Sequence, residues 1–114
     1  MTFSAGDVVN VDLGTPIGHE AGFPHPAIVV TAQRVLDANP AIVHVVPLTS
    51  RFRRFASEIE IAADPSNGLE ERSAAQCQHV RAVATARLQE PRGNVGGVAL
   101  AQIREVIALL LDVP

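Results

Sequence analysis

The stretch AIVHVVPL, residues 41–48, decides the fold class of this chain. It is a nearly continuous apolar run rich in β-branched side chains, and AIVVTA at 27–32 has the same character. Such runs are typical of central strands buried on both faces of a sheet. We therefore expect two central strands, joined through a turn or short helix at 33–40. His44, inside the second run, is expected to be a core or interface histidine.

Alternating patterns on either side of these runs indicate strands with one polar face. GDVVNVDLG at 6–14 and ASEIEIAA at 56–63 both alternate apolar with polar residues. Residues 14–26 contain three glycines and three prolines, so we expect an ordered but irregular loop there. DPSNG at 64–68 has the composition of a turn.

The C-terminal third contains one clear helix. AAQCQHVRAVAT at 74–85 is compatible with either a strand or a helix, whereas VALAQIREVIALLL at 98–111 has helical periodicity. Its apolar face is so wide that we expect burial on more than one side, or packing on a partner. Several strands followed by one helix predict a mainly β domain, 1–114, built as a small antiparallel barrel with the helix packed on it.

Composition limits the classes of function. The formal net charge is −3, so any site for a polyanion must be local rather than spread over the whole chain. The single cysteine, Cys77, excludes an internal disulfide and suits a reducing compartment. There is no basic leader and no apolar run near the roughly 20 residues of a spanning helix, so we expect a cytoplasmic protein with no membrane partner.

Two segments concentrate the ionisable side chains. RFRRF at 51–55 interleaves arginines with phenylalanines, as grooves for single-stranded RNA do. Its alternative is a solvated hairpin in which Arg53 or Arg54 pairs with glutamates of 56–63. GHEAGFPHP at 18–26 places two histidines and a glutamate directly before a buried strand.

A metal site is not expected. Cys77 and His79 are separated by one residue, which is too tight for the usual structural zinc site, and no second ligand pair supports it.

Taken together, the chain resembles the MazF/PemK family of toxins from bacterial toxin–antitoxin operons. The matching segments follow the family order, with spacing within a residue or two, along the whole chain. They are Gly6-Asp7 with Asp12-Leu13; Gly18, Glu20, Pro26, Val29 and Val30; VVPLTS at 45–50; Asn67-Gly68-Leu69 with Ser73; QHVRAVATARL at 78–88; and Gly93 with Val95 before the closing helix.

This resemblance implies a fold, an activity and partners. The fold is an antiparallel SH3-like β-barrel with a C-terminal helix. The activity is sequence-specific, metal-independent cleavage of single-stranded RNA, leaving 2′,3′-cyclic phosphate and 5′-hydroxyl ends and inhibiting translation and growth. The implied assembly is a homodimer that needs no cofactor and is neutralised by a small acidic, MazE-like antitoxin.

The resemblance also implies site residues. The family carries an arginine before the loop proline, and this arginine and the threonine of PLTS are held responsible for cleavage. Thr49 is retained, but His25 stands in place of the arginine, with Glu20 as its implied proton partner. Histidine can act as acid or base near neutral pH, but it cannot fork onto phosphate as arginine does. The implied RNA-binding residues are Ser50, Arg51, Phe52, Arg53, Arg54, Arg81 and Arg87.

A second departure lies where the family tends to have glutamine, threonine and an acid, and this chain has His79, Ala82 and Ala84. The alternatives to a nuclease are therefore kept open. One is a catalytically weak or inactive binding protein of the same fold, either a degenerate toxin or a gyrase inhibitor like CcdB. The absence of tryptophan argues against the gyrase inhibitor. Another is an adaptor without a nucleic-acid partner, which leaves RFRRF and VVPLTS unexplained.

Overall fold

The computed structural model describes residues 2–22 and 24–114. The elements there are β1 (Asp7–Asp12), β2 (Pro24–Val29), α1 (Gln33–Leu36), β3 (Ile42–Thr49), β4 (Glu58–Ile61), β5 (Ser73–Gln76), β6 (Arg81–Ala84), β7 (Gly93–Asn94) and α2 (Gly96–Leu110). Two 3-10 helices, Cys77–His79 and Thr85–Arg87, flank β6. The ambiguous segment 74–85 is therefore mostly strand. The predicted loop 14–26 includes Phe23, which lies outside the described residues.

The sheet is antiparallel and is organised around β3. Its order is β4-β5-β3-β2-β1-β7, and β6 pairs with β3 beside β5. Ile42 to Val45 of β3 pair with β6, whereas Leu48 and Thr49 pair with β5. Because one edge of β3 serves two partners in succession, the sheet curls into a half-barrel. The predicted antiparallel fold with a C-terminal helix is confirmed.

Pro47 lies at the point where β3 changes partner. The N–H of Val30 donates to the carbonyl of His44, and the N–H of His44 donates to Thr31 Oγ1, so His44 faces β2. Successive strand residues direct their backbone groups to opposite edges. Pro47, three residues further on, therefore faces the other edge, between β6 and β5. The N–H that proline lacks would have no strand partner there.

The two faces of the sheet carry separate hydrophobic cores. The first core contains Phe3, Val9, Val11, Leu13, Ala27, Val29, Leu36, Val43, Val45, Val83 and Leu88. The second core lies under α2 and contains Val8, Ile28, Val30, Val46, Leu48, Ile61, Leu69, Ala75, Cys77, Leu100 and Ile103. Residues of β2 and β3 alternate between the two cores, so the expectation of central strands buried on both faces is confirmed for Ala27–Val29 and Val45–Leu48.

The expectation of one wet face along 6–14 is wrong at its first half. Val8 is fully buried, because the second core extends under α2 to the start of β1. The polar face of β1 is limited to Asn10 and Asp12.

The expectation that His44 is a core histidine is also wrong. His44 is exposed, and Ile42 on the same strand is 50% exposed. The second core covers that face of β3 only from Val46 onward. His44, two residues earlier, lines an open groove with Ile107 and Leu111 of the C-terminal segment. A place in an interface stays a prediction.

Helix α2 is covered by its own chain on one side. Leu100 and Ile103 are buried, but Val98 is 78% exposed and Leu109 is 74% exposed. Of the two expectations for this helix, burial on several sides within the chain is therefore wrong, and packing on a partner stays open. Among the described residues, no helix has the length and hydropathy needed to cross a membrane.

Gly68, in the turn before β5, supplies a stability test. Its φ is +68°, and a Cβ there would press against the backbone carbonyl of Arg92. We expect Gly68→Ala to lower the free energy of unfolding by about 1–3 kcal/mol, measured by urea denaturation. In the control Gly97→Ala the added methyl meets open space, and stability should stay unchanged or rise by up to about 1 kcal/mol. Equal effects of the two substitutions would contradict the described turn.

Candidate active site

His25 and Thr49 lie opposite each other on neighbouring strands. Strands β2 and β3 pair with Ala27 opposite Pro47, and continuing this register by two residues places His25 opposite Thr49. Both side chains point to the sheet face that carries the first core, because Ala27, Val29 and Val45 of the same parity belong to it. The register thus brings together two residues that are 24 positions apart in the sequence.

His25 belongs to a strand rather than to the expected loop. Strand β2 begins at Pro24, and His25 pairs with Val11 of β1. The prolines at 24 and 26 indicated a loop, but their missing donors face β3, because Val30 of the same parity donates its N–H to β3. The β2–β3 ladder therefore ends at Ala27 with Pro47, and the two strands separate beside His25 and Thr49.

Two cavities meet where the strands separate. The larger has a volume of about 590 Å³ and is lined by Gly18, His19, Glu20, Ala21, Gly22, His25, Thr49, Arg51, Arg53, Phe55, Gln76, Gln78 and His79. The smaller has a volume of about 450 Å³ and is lined by Pro24, His25, Pro26, Leu48, Thr49, Ser50, Arg51, Leu69, Glu70, Glu71, Ser73 and Arg92. His25, Thr49 and Arg51 line both cavities, so they form the boundary between them.

The Thr49 hydroxyl is oriented by the backbone that follows it. Its Oγ1 accepts a hydrogen bond of 3.1 Å from the N–H of Arg51. A hydroxyl has one proton to donate in addition to its acceptor lone pairs. The proton of Thr49 therefore remains available for an acceptor in the cavities, such as a phosphate oxygen.

Two arginines supply positive charge to this site. The backbone N–H of Arg53 donates to Glu58 Oε1 at 3.0 Å, which holds the turn before β4. Within the described ranges, no ion pair engages the guanidinium group of Arg51 or Arg53. Glu60 pairs instead with Arg72, at 2.8 Å. The alternative expectation, in which Arg53 or Arg54 forms an ion pair with a glutamate of 56–63, is therefore wrong for the described residues.

Four of the residues implied to bind RNA lie outside both cavities. The ring of Phe52 stacks under the Arg72 guanidinium, 4.5 Å from its centroid. Arg81 Nη1 donates to the carbonyl of Leu13 at 3.1 Å, which ties β6 to the segment that follows β1. Arg54 and Arg87 are exposed and contribute to neither lining.

Glu20 lines the larger cavity but does not pair with His25. Its N–H donates to the carbonyl of Ile17 at 3.2 Å, and its side chain is exposed. In the described part of the chain, no ion pair links its carboxylate to His25. Its negative charge acts on His79 instead, where it raises the pKa.

Sequence reasoning missed several residues of the lining. His79, Gln76 and Gln78 join the larger cavity because Gln76 ends β5 on the same sheet face as Thr49, and the 3-10 helix continues from it. His79 carried a signal, since it departs from the family pattern. Arg92 carried none: its Nη2 donates to the carbonyl of Gly68 at 3.0 Å, a contact 24 residues away.

Cys77 faces away from the site. It is buried in the second core, its Sγ lies 3.8 Å from the carbonyl oxygen of Ala75, and burial raises its pKa to about 11. A thiol of this kind stays protonated and unreactive at neutral pH. Cys77 and His79 therefore belong to opposite faces and do not form a metal-binding pair.

His79 has a lowered pKa. Partial burial is the main cause, because it penalises the charged imidazolium, and the positive charge of Arg53 is the next. Glu20 and Glu58 act in the opposite direction, and His25 lowers the pKa further. His79 is therefore a neutral imidazole at pH 7, with one ring nitrogen free to accept a proton.

Comparison with known proteins shows the family of this chain. The family model described as "PemK-like, MazF-like toxin of type II toxin-antitoxin system" matches residues 4–111. Endoribonuclease MazF9 of Mycobacterium tuberculosis is 32% identical over 111 residues, with 94% of each chain covered. This chain belongs to the PemK-like, MazF-like family of toxins of type II toxin–antitoxin systems.

Solved structures show the same fold. MazF from Deinococcus radiodurans superposes with a TM-score of 0.82 at 23% identity, covering 98% of both chains. A chain of the MazE–MazF structure from the same organism gives a TM-score of 0.78 at 22% identity, covering 100% of this chain and 99% of that one.

The lowered pKa of His79 predicts a pH effect on stability. The unfolded chain, with a histidine pKa near ~6.5, binds the proton more readily than the folded chain does. We therefore expect the contribution of His79 to the free energy of unfolding to fall as the pH drops below the pKa of histidine in the unfolded chain. The loss should be complete once the pH is below the pKa of His79 in the folded chain. Titration of the His79 ring by NMR should give a midpoint below ~6.5. In His79→Gln, the free energy of unfolding should depend less on pH across this window.

A His79 midpoint at or above the unfolded value, or an unchanged pH dependence in His79→Gln, would contradict this description of the cavity.

Proposed function

We propose that this chain is a metal-independent, sequence-specific endoribonuclease toxin, which cleaves single-stranded RNA beside His25 and Thr49. The observation that carries the proposal is their placement on facing strands, where the β2–β3 ladder ends, next to the guanidinium groups of Arg51 and Arg53, which form no ion pair within the described residues. The 32% identical relative named as an endoribonuclease supports the same class of reaction.

Cleavage without a metal makes three chemical demands. A base removes the proton of the 2′-hydroxyl, donors and cations stabilise the phosphate as negative charge builds, and an acid protonates the departing 5′-oxygen. The 2′-oxygen then forms a bond to phosphorus as the bond to the 5′-oxygen breaks. The products are a 2′,3′-cyclic phosphate and a 5′-hydroxyl.

The site offers groups for charge stabilisation and for proton transfer. The Thr49 proton is free to bind a phosphate oxygen, and Arg51 places a permanent positive charge beside it. His25, half-buried on the strand opposite Thr49, provides the proton-transfer group. Glu20, which lines the same cavity, raises the pKa of His79.

The two adjoining cavities provide a path for the RNA on either side of the cut. Phe55, 53% exposed in the larger cavity, is a surface on which a base can stack. Ser50 and Arg92 line the other side. Three of the nine arginines, Arg51, Arg53 and Arg92, line these cavities, so cationic donors for phosphate are available locally although the net charge of the chain is −3.

The groove and helix α2 are the surfaces where we expect the partners of this chain to bind. A small acidic, MazE-like antitoxin whose chain lies along the arginine-lined groove would exclude the RNA, and structures of relatives include MazE–MazF complexes. The exposed apolar residues at the end of α2, with the groove beside His44, supply a surface for homodimer formation.

RNA binding without cleavage is the second candidate function. It is favoured by one observation, the histidine in place of the arginine that the family uses, since histidine cannot clamp phosphate through two hydrogen bonds.

Digestion of a long mixed-sequence RNA in the presence of EDTA separates the two functions. We expect discrete 5′-hydroxyl ends, mapped by ligation, because every group required is a protein side chain. His25→Ala and Thr49→Ala should each lower the rate about 10²- to 10⁴-fold, as is typical for loss of proton transfer or of one charge-stabilising donor.

Thr15→Ala is the matched control, because Thr15 is exposed and lines neither cavity. It should cleave at the wild-type rate. Intact RNA at high concentrations of folded wild-type protein would refute cleavage and leave the binding function.

Arginine substitutions test the groove. Arg51→Ala and Arg53→Ala should each weaken the binding of a 2′-O-methylated RNA oligonucleotide, which cannot be cut. The slope of log K against log salt should fall by about 0.7 for each lost phosphate contact, measured by fluorescence anisotropy. Arg34→Ala, on the exposed surface of α1, should change neither quantity. An equal loss in Arg34→Ala would place the RNA elsewhere.

A further inference from the structure

His79 is one of three histidines that line the larger cavity, together with His19 and His25. It ends the 3-10 helix Cys77–His79, which connects β5 to β6, and it lines the larger cavity together with His25 and Arg53. The family resemblance assigns no histidine to this position, where a glutamine is usual. The candidate site therefore differs from the family pattern at two positions. His25 on β2 replaces an arginine, and His79 at the end of the 3-10 turn replaces a glutamine.

The turn that presents His79 is fixed on both sides. Cys77 anchors it in the second core, and the Cys77 N–H donates to the carbonyl of Ser57 at 3.1 Å. The Ser57 hydroxyl donates to Gln78 Oε1 at 2.8 Å, and the Val80 N–H closes the turn on the Cys77 carbonyl at 3.1 Å. The backbone that carries His79 is therefore fixed by these contacts, which places its side chain at a defined position on the wall of the cavity.

The charged groups that face His79 come from three surrounding segments. Arg53 precedes β4, Glu58 lies on β4, and Glu20 and His25 belong to the loop and strand opposite. Burial and Arg53 lower the pKa of His79, and the two glutamates oppose them. The positive charge of His25 lowers the pKa of His79 further.

We propose that His79 and His25 act as an acid–base pair in RNA cleavage, with His79 as the base and His25 as the acid. This inference rests on the proposed nuclease function and names the residues that move its two protons. His79 accepts the proton of the 2′-hydroxyl as the 2′-oxygen forms its bond to phosphorus. His25 donates its proton to the 5′-oxygen as the P–O5′ bond breaks.

The step balances without any other reactant. One proton leaves the ribose and one reaches the departing oxygen, so the phosphate keeps its charge and no electron is gained or lost. The enzyme ends with a protonated His79 and a neutral His25. Proton exchange with water through the open cavity restores the starting state, so each turnover begins from the same charge distribution.

The competing role for His79 is hydrogen bonding to an RNA base. The substitution His79→Gln discriminates between the two, because glutamine keeps a donor and an acceptor and restores the residue usual in the family, but it cannot carry a proton. We expect His79→Gln to lower kcat about 10²- to 10⁴-fold with little change in KM. It should also remove the ascending limb of the pH–rate profile.

A modified substrate separates the base from the acid. In an oligonucleotide whose scissile 5′-oxygen is replaced by sulfur, the thiolate departs without a proton and needs no acid. We expect this substrate to restore His25→Ala toward the wild-type rate and to leave His79→Gln slow. His79→Asn, with thermal unfolding measured alongside, replaces His79→Gln if the glutamine variant does not fold.

Three results would overturn the proposal. A His79→Gln variant with wild-type kcat and a raised KM assigns His79 to RNA recognition, and the nuclease function stands if His25→Ala remains slow. Rescue of His79→Gln rather than His25→Ala by the sulfur substrate reverses the two roles. Absence of cleavage by the folded wild-type protein removes the proposed function and this pair together.

Discussion

The structure depends on the way β3 shares its hydrogen bonds. One edge of this strand pairs first with β6 and then with β5, and Pro47 faces the edge where the change occurs. On the other edge, Pro24 and Pro26 of β2 deprive the ladder of donors beyond Ala27. The first arrangement curls the sheet, and the second opens it at one end. Strands β2 and β3 pair between the two hydrophobic cores and separate beside His25 and Thr49. The candidate site lies at this opening.

Contacts between distant segments of the chain position the residues of the candidate site. Cys77 is fully buried under α2, and the turn that follows it carries His79 to the opposite face. Arg92 joins the turn at Gly68 to Asn10 of β1 and lines the smaller cavity at the same time. The residues that line the candidate site are therefore positioned by the same contacts that stabilise the half-barrel. The guanidinium groups of Arg51 and Arg53 remain exposed for a substrate.

The sequence predicted what local pattern controls. The apolar runs at 27–32 and 41–48, the turn at 64–68 and helix α2 were all expected, and the family motifs brought His25 and Thr49 to one site. The start of β2 was not expected, because proline density indicates a loop unless the direction of each missing N–H is known. The exposure of His44 was missed for a related reason: a continuous apolar run does not show how far α2 covers it.

The rest of the site depends on long-range geometry. Nothing in the local pattern separates Arg51 and Arg53, which line the cavity, from Arg54, which directly follows Arg53 and lies outside it. The stack of Phe52 with Arg72, and the bond from Arg81 to Leu13, are contacts between distant segments that withdraw these residues from the groove. His79 was noted as a departure from the family, but its approach to His25 depends on the 3-10 turn.

The most direct test of the central claim is a crystal structure of the protein with an RNA oligonucleotide that carries a 2′-deoxy nucleotide at the cut site, so that no cleavage occurs. We expect the scissile phosphate at the opening between β2 and β3, within hydrogen-bond distance of Thr49 Oγ1, with His25 and His79 on either side of it. A bound oligonucleotide that avoids this opening and lies in the groove beside His44 and α2 would contradict it.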